Sequence, residues 1–168
     1  MKVYLAGYMS GSCLNKCVEW RIKIREHYEN WKGTGIKYPI SFLDPFNGPE
    51  LNSLDSKGLK SSVPSNAIFS GDMMSVKACD LVVAHIDTFG EEREMIGTYF
   101  ELGWASAFGK PFILIAPESK KELCKHHPFL NKSADTFFSV EDFLDSKILN
   151  YYYKRINGAN YQIDLEKV

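Results

Sequence analysis

No stretch of this chain is apolar for long enough to cross a bilayer. The opening Met-Lys-Val-Tyr-Leu-Ala-Gly lacks a basic n-region, and its apolar run is too short for a secretory signal. No membrane partner is expected, and the expected compartment is the cytoplasm. Cysteine is scarce, with four residues: Cys13, Cys17, Cys79 and Cys124. Cys13 and Cys17 stand four apart with no matching second pair, and His126-His127 are adjacent rather than spaced as metal ligands. That pattern argues against zinc and for reduced cytosolic thiols. An excess of either charge is missing too. Twenty basic residues face twenty-one acidic ones, for a net charge of −1, so nothing pulls the chain toward a nucleic acid polymer or an anionic lipid surface. The expected partner is a small molecule in a pocket, or another copy of the chain. Three phosphate and nucleophile motifs are also absent. There is no Gly-x-x-x-x-Gly-Lys-Ser/Thr. Gly7-Tyr8-Met9-Ser10-Gly11-Ser12 is not a dinucleotide fingerprint, and no Gly-x-Ser-x-Gly elbow occurs.

What is present is an ordinary globular composition, 45% hydrophobic and 24% charged over 168 residues. A chain of this size buries roughly two thirds of its unfolded surface, enough for a core without a disulfide or metal staple. Strand and helix patterns alternate along it. Lys2 to Ala6 reads as a strand closed by Gly7. Apolar residues at Cys17, Trp20, Ile24, Tyr28 and Trp31 have helical spacing, with Arg21, Lys23, Arg25 and Glu26 among the other positions, and Gly33 and Gly35 end that helix. Ile36 to Leu43 reads as a second strand, stopped by Asp44-Pro45. Phe46 to about Pro64 shows no periodicity and reads as a long irregular loop. Asn66 to Ala78 is a helix, Leu81 to Ile86 a strand buried on both faces, Thr98 to Phe108 a helix and Pro111 to Ala116 a strand. A weaker strand over Thr136 to Phe138 and one helix from about Ser139 to Arg155 complete the series. The expected fold is therefore α/β, three layers around a five-stranded parallel sheet. Residues 1–155 make a single domain and 156–168 a tail. Ligands of such sheets sit beyond the carboxyl ends of the strands, at the switch in strand order.

Carboxylates dominate the candidates there. Glu101 lies in Gly97-Thr98-Tyr99-Phe100-Glu101-Leu102-Gly103, in the expected first turn of a helix, where the helix dipole favours the ionised form. An ionised carboxylate with small neighbours suits attack on a sugar carbon. Thr98-x-x-Glu101 is equally a capping box, with Thr98 at the N-cap. Asp72 precedes Asp80 by eight residues. By the helical rise it stands about 12 Å up its helix from that end, toward the edge where Glu101 starts. Such a pair suits glycosidic chemistry: one carboxylate works at the anomeric carbon, the other handles a proton on the leaving group. Asp72 also fits a solvated helix residue, and Asp80, at the opposite end of its strand, a turn residue. Tyr8, Met9 and Asp44 follow the first two strands and are placed to contact a bound base or sugar. Phe89, Tyr99 and Trp104 read as core or interface.

These residues together resemble the nucleoside 2-deoxyribosyltransferase family, in its branch of small phage and bacterial members. The resemblance is carried by Val3-Tyr4-Leu5-Ala6-Gly7, Phe42-Leu43-Asp44-Pro45, Asp72 with Asp80-Leu81-Val82-Val83-Ala84, and Gly97-Thr98-Tyr99-Phe100-Glu101-Leu102-Gly103-Trp104-Ala105 followed by Gly109-Lys110-Pro111. It implies a flavodoxin-like fold and exchange of the base on a 2′-deoxyribonucleoside. Glu101 would attack C1′ and form a covalent deoxyribosyl-enzyme, and Asp72 would protonate the leaving base or fix the sugar. Gly7 and Tyr8 would line the pocket, with Gly97 and Thr98 beside the nucleophile. Similar enzymes are homo-oligomers that need no metal or organic cofactor. Many carry Asp-Ser-Gly-Thr where this chain has Met95-Ile96-Gly97-Thr98; Asp87 and Glu94 are the candidate substitutes for the missing polar pair. Hydrolysis of a nucleoside 5′-monophosphate by the same residues is an alternative, with Ser10, Gly11 and Ser12 as phosphate donors. A non-catalytic nucleotide-binding module is another, and flavin binding a third on fold analogy alone.

Overall fold

The computed structural model describes residues 1–9, 14–29, 39–47, 51–55, 58–61 and 63–157. Five parallel strands form the main sheet: β1 (Lys2–Gly7), β2 (Ser41–Leu43), β5 (Leu81–His85), β6 (Phe112–Ile115) and β7 (Asp135–Phe137). Their order is β2-β1-β5-β6-β7. The chain leaves β1 toward one edge and then returns to add β5 on the other side, so the switch in direction lies between β1 and β5. There Gly7 pairs with His85. The sheet is flavodoxin-like, as expected.

Alternation along the central strands divides the core into two layers. Val3 and Leu5 of β1, Leu81 and Val83 of β5, and Ile113 and Ile115 of β6 pack on Trp20, Ile24 and Tyr28 of α1 (Leu14–Glu29). Phe143 of α5 (Val140–Ser146) and Leu149 of α6 (Ile148–Asn157) complete that layer. Tyr4, Ala6, Val82, Ala84 and Leu114 point the other way. They meet Val76 of α2 (Ser65–Ala78) and Leu102 and Ala105 of α3 (Ile96–Ala107). Cys17, Cys79 and Cys124 are buried thiols. Among the described residues no helix is long and apolar enough to cross a membrane. No group of three or more His, Cys, Asp or Glu side chains among them is gathered to hold a metal ion.

Several elements differ from expectation. Within the segment read as an irregular loop, Pro45–Asn47 is a 3-10 turn, and β3 (Leu51–Asp55) pairs antiparallel with β4 (Gly58–Ser61). The register shifts between Leu51 and Ser53, and such a break in alternation hides a strand from a period-of-two reading. The last helix is two. Ser139 caps α5, its Oγ accepting from Asp142 N at 3.0 Å, and Lys147 then takes a left-handed φ of 53° that separates α5 from α6. A short α4 (Lys121–His126) lies between β6 and β7, where the sequence pattern gave no element. The expected helix end at Gly33 and Gly35, the loop Ser10, Gly11 and Ser12, and most of the tail lie outside the described residues.

Gly7 has a packing role beyond its place on the sheet. A Cβ there would lie 2.9 Å from Trp20 Cζ2, 3.2 Å from Arg21 Nη2 and 3.2 Å from the His85 carbonyl oxygen. The last is strand backbone and has nowhere to go. Gly7→Ala is expected to cost about 1–3 kcal/mol. Urea unfolding measures it, and an unchanged midpoint refutes the close approach.

Candidate active site

Glu101 does not stand where a capping box would put it. α3 begins at Ile96, with Met95 at the N-cap and no side-chain cap hydrogen bond. Thr98 is thus inside the helix and buried, and Glu101 occupies the second turn rather than the first. Burial of Met95 anchors the N-cap three residues ahead of the local capping signal at Thr98. The carboxyl of Glu101 is therefore sealed against the sheet, 6% exposed, rather than set beside the helix dipole.

Its neighbour is Tyr4 of β1, whose hydroxyl donates to Glu101 Oε1 at 2.6 Å. Asp72 of α2 is an electrostatic neighbour of the same hydroxyl. One phenol in mid-strand thus stands beside two carboxyl groups carried by two different helices. Asp72 is half-buried, so the pair meets solvent on its side. Burial pushes the Glu101 carboxyl up to about 8 from an ordinary 4.5; Tyr4's hydroxyl and Arg21 oppose the rise, and Asp72 adds to it. Asp72 is raised as well, by burial, against the Tyr4 hydroxyl. Tyr4 itself is held protonated, by burial first and then by the two carboxyls. Burial thus works against the ionised Glu101 expected from the helix dipole. At neutral pH the pair retains a proton, because two buried like charges cannot both be solvated.

A second network lies over the carboxyl ends of β1 and β2. Arg21 of α1, 1% exposed, donates from Nη2 to the Gly7 carbonyl at 3.1 Å and from Nη1 to the Cys17 carbonyl. Its Nε lies 3.5 Å from Asp44 Oδ1. The guanidinium is stacked between Trp20 at 4.4 Å and Phe46 at 4.9 Å, rings that belong to the two opposite core layers. Asp44 is thereby engaged within the protein. Besides Arg21 it meets Arg25 Nη1 at 3.8 Å and accepts from Phe46 N at 3.0 Å.

The remaining expected residues scatter. Tyr8 turns into the α2–α3 core, and its hydroxyl has no hydrogen-bond partner among the described residues. Met9 is half-buried just past β1, and Gly97 is exposed on the first turn of α3. Asp87 is used locally, its Oδ1 accepting from Phe89 N at 2.8 Å, and Glu94 is exposed. Met95 faces the ammonium of Lys120, which lies 3.9 Å from its Sδ and donates to the Ile86 carbonyl at 2.7 Å. Asp80, read as a turn residue, accepts from Lys2 N at 2.7 Å, far from the pair. Two further groups were not anticipated beside Tyr4 and Arg21. Lys120 is one. The other is His85, buried between Trp20 and Phe89 and pushed down to about 4 by burial, so that it stays neutral. Arg21, read among the positions off the apolar stripe, lies on it: Cys17, Arg21, Ile24 and Tyr28 are spaced four, three and four, a signal that could have placed it there.

The profile of the family described as Nucleoside 2-deoxyribosyltransferase matches residues 3–143. The chain is 28% identical over 163 residues to the uncharacterized protein YtoQ of Bacillus subtilis, a match covering 90% of this chain and 96% of that one. Among solved structures, the CMP N-glycosidase BcmB of Clostridium botulinum superposes with a TM-score of 0.53 at 19% identity, over 89% of this chain and 99% of that one. A 2-desoxiribosyltransferase from Leishmania mexicana gives 0.52 at 19% identity, over 86% and 97%. BlsM gives 0.60 at 18%, over 96% of each. At these identities the structural likeness bears on the fold.

Proposed function

The chain belongs to the nucleoside 2-deoxyribosyltransferase family, and from that premise we propose that it exchanges the base of a 2′-deoxyribonucleoside, with Glu101 as nucleophile and Asp72 as proton carrier. The observation that supports this reading is the Tyr4 hydroxyl, which donates to Glu101 Oε1 at 2.6 Å and has Asp72 as its electrostatic neighbour. The reactive form of the singly protonated pair is the one in which the proton has moved from Glu101 to Asp72; Asp72 then gives it to the departing base as the Glu101 carboxylate attacks C1′. The C1′–N bond breaks, its electron pair leaves with the base, and a C1′–O ester forms. The incoming base then attacks C1′, the ester opens, and Asp72 takes back a proton. Tyr4 holds the Glu101 oxygen by its hydrogen bond throughout. Nothing in the sequence of steps calls for a metal or an organic cofactor.

The productive state carries one proton on two groups, so base release should be bell-shaped in pH. The alkaline limb falls near 8, where the pair loses its last proton. Tyr4→Phe removes the hydroxyl that lowers both carboxyls, so it moves that limb upward and slows turnover. Rates across pH 5 to 10 with a deoxynucleoside and a second base test both points. A flat profile, or a limb unmoved in Tyr4→Phe, removes the pair from the mechanism.

Lys120 favours a second reading, hydrolysis of a nucleoside 5′-monophosphate. Its half-buried ammonium has no carboxylate partner among the described residues and lies at the end of β5 beside the N-cap of α3. Met95 to Glu101 is about 9 Å along the helix, a span comparable to the reach from C1′ to a group on C5′. Comparing release from a nucleoside and from its monophosphate separates the two, and the absence of release from either leaves a binding module.

A further inference from the structure

Between α3 and the α4 region lies a groove of about 400 Å³, and neither Tyr4, Asp72 nor Glu101 lines it. Its floor is apolar, with Leu102, Phe112 and Leu130 buried. Around its rim Tyr99, Leu123 and Phe129 leave large apolar surfaces in water, Phe129 at 77% exposure. The nitrogen groups of the rim are donors, beside the hydroxyls of Tyr99 and Ser106. His127 Nδ1 accepts from Phe129 N at 3.4 Å, so the proton of the neutral ring sits on Nε2. The Lys132 ammonium has no hydrogen-bond or ion-pair partner among the described residues. No Asp or Glu among the described residues lines the groove.

We propose that this groove is a second binding site, separate from the Glu101 centre, for a small amphipathic anion: an apolar ring or chain bearing one carboxylate or sulfonate group. The volume is that of small-molecule sites, which run from about 300 to 1,000 Å³. The apolar body covers Leu102 and Phe112 and takes Tyr99, Leu123 and Phe129 out of water. The anionic end meets Lys132 and the His127 N–H, a charge-assisted pairing that a neutral ligand lacks. The complementarity is one-sided, because among the described residues the lining offers the Lys132 ammonium, the His127 N–H and the hydroxyls of Tyr99 and Ser106, and no carboxylate.

Fluorescence titration of the full chain with 8-anilinonaphthalene-1-sulfonate tests the site, alongside neutral N-phenyl-1-naphthylamine. Saturable one-to-one binding of the sulfonate is expected, displaced by 3-phenylpropionate. Lys132→Glu should weaken the sulfonate about tenfold and leave the neutral probe unchanged. Gly103 lines the groove, and a Cβ there meets nothing within 4 Å, so Gly103→Leu should fold, fill the groove and abolish both probes. Unaltered sulfonate binding in either variant overturns the proposal. So does equal loss of the two probes in Lys132→Glu. A Gly103→Leu chain that sediments as a smaller species assigns the groove to a second copy and overturns it as well.

Discussion

Glu101→Gln is expected to lose base exchange by several powers of ten while becoming the more stable protein above about pH 5. The amide keeps the shape of the carboxyl and still accepts from the Tyr4 hydroxyl, but it cannot attack C1′, and a group that acts only in the transition state takes kcat with it. The gain in stability comes from the same burial that shapes the site. The folded chain holds the Glu101 proton up to about pH 8, whereas the carboxyl ordinarily releases it at 4.5. Between those values the folded state binds more protons than the unfolded one, so this group's contribution falls as pH rises and reaches its full cost above 8. Below 4.5 both states are protonated and nothing is lost. Asp72, raised for the same reason, adds a penalty of the same sign in both proteins. The melting temperature of Glu101→Gln minus that of the parent should therefore be near zero at pH 4 and grow to a plateau above pH 8, by about 2–4 °C for each kcal/mol in a chain of this size. The parent exposed to a deoxynucleoside should gain the mass of a deoxyribosyl group, and the variant none. Retained turnover in Glu101→Gln excludes the nucleophile. A melting difference independent of pH excludes the buried, protonated carboxyl.

Arg21→Met should be among the most damaging single changes in the scaffold. It leaves the Asp44 carboxylate, 4% exposed, with Arg25 at 3.8 Å as its remaining cationic partner. It also strips a donor from the Gly7 and Cys17 carbonyls and removes the cation between Trp20 and Phe46. Breaking a buried pair on one side costs about 3–5 kcal/mol, chiefly because a charge is left unpaired. Adding Asp44→Asn neutralises that charge and should restore part of the loss, which uncoupled sites do not do. Arg21→Lys should rescue poorly, since a single ammonium cannot replace the planar fork. Urea unfolding of the two single variants and the double variant measures the coupling. A loss under about 1 kcal/mol, or strictly additive effects, shows that the cluster is not a network.

The alternating pattern of strands and helices was enough to read the parallel sheet, because period two against period 3.6 is a local property of the chain. So was the apolar stripe of α1. Asp72 and Glu101 could be paired from helix length and chain direction alone. What spacing could not convey was the environment of either carboxyl. Thr98-x-x-Glu101 reads as a cap, yet the helix starts earlier because Met95 is buried by contacts from elsewhere in the chain. Tyr4 was hidden for a similar reason: an aromatic in an apolar strand looks like core, and only the crossing of α2 and α3 over β1 sets its hydroxyl between two acids. The strands β3 and β4 went unseen because their register is broken. By itself the sequence determined the fold class and singled out Asp72 and Glu101 as the acidic residues to pair. The tertiary structure alone decided their protonation, since a pKa answers to water excluded and charges approached through space.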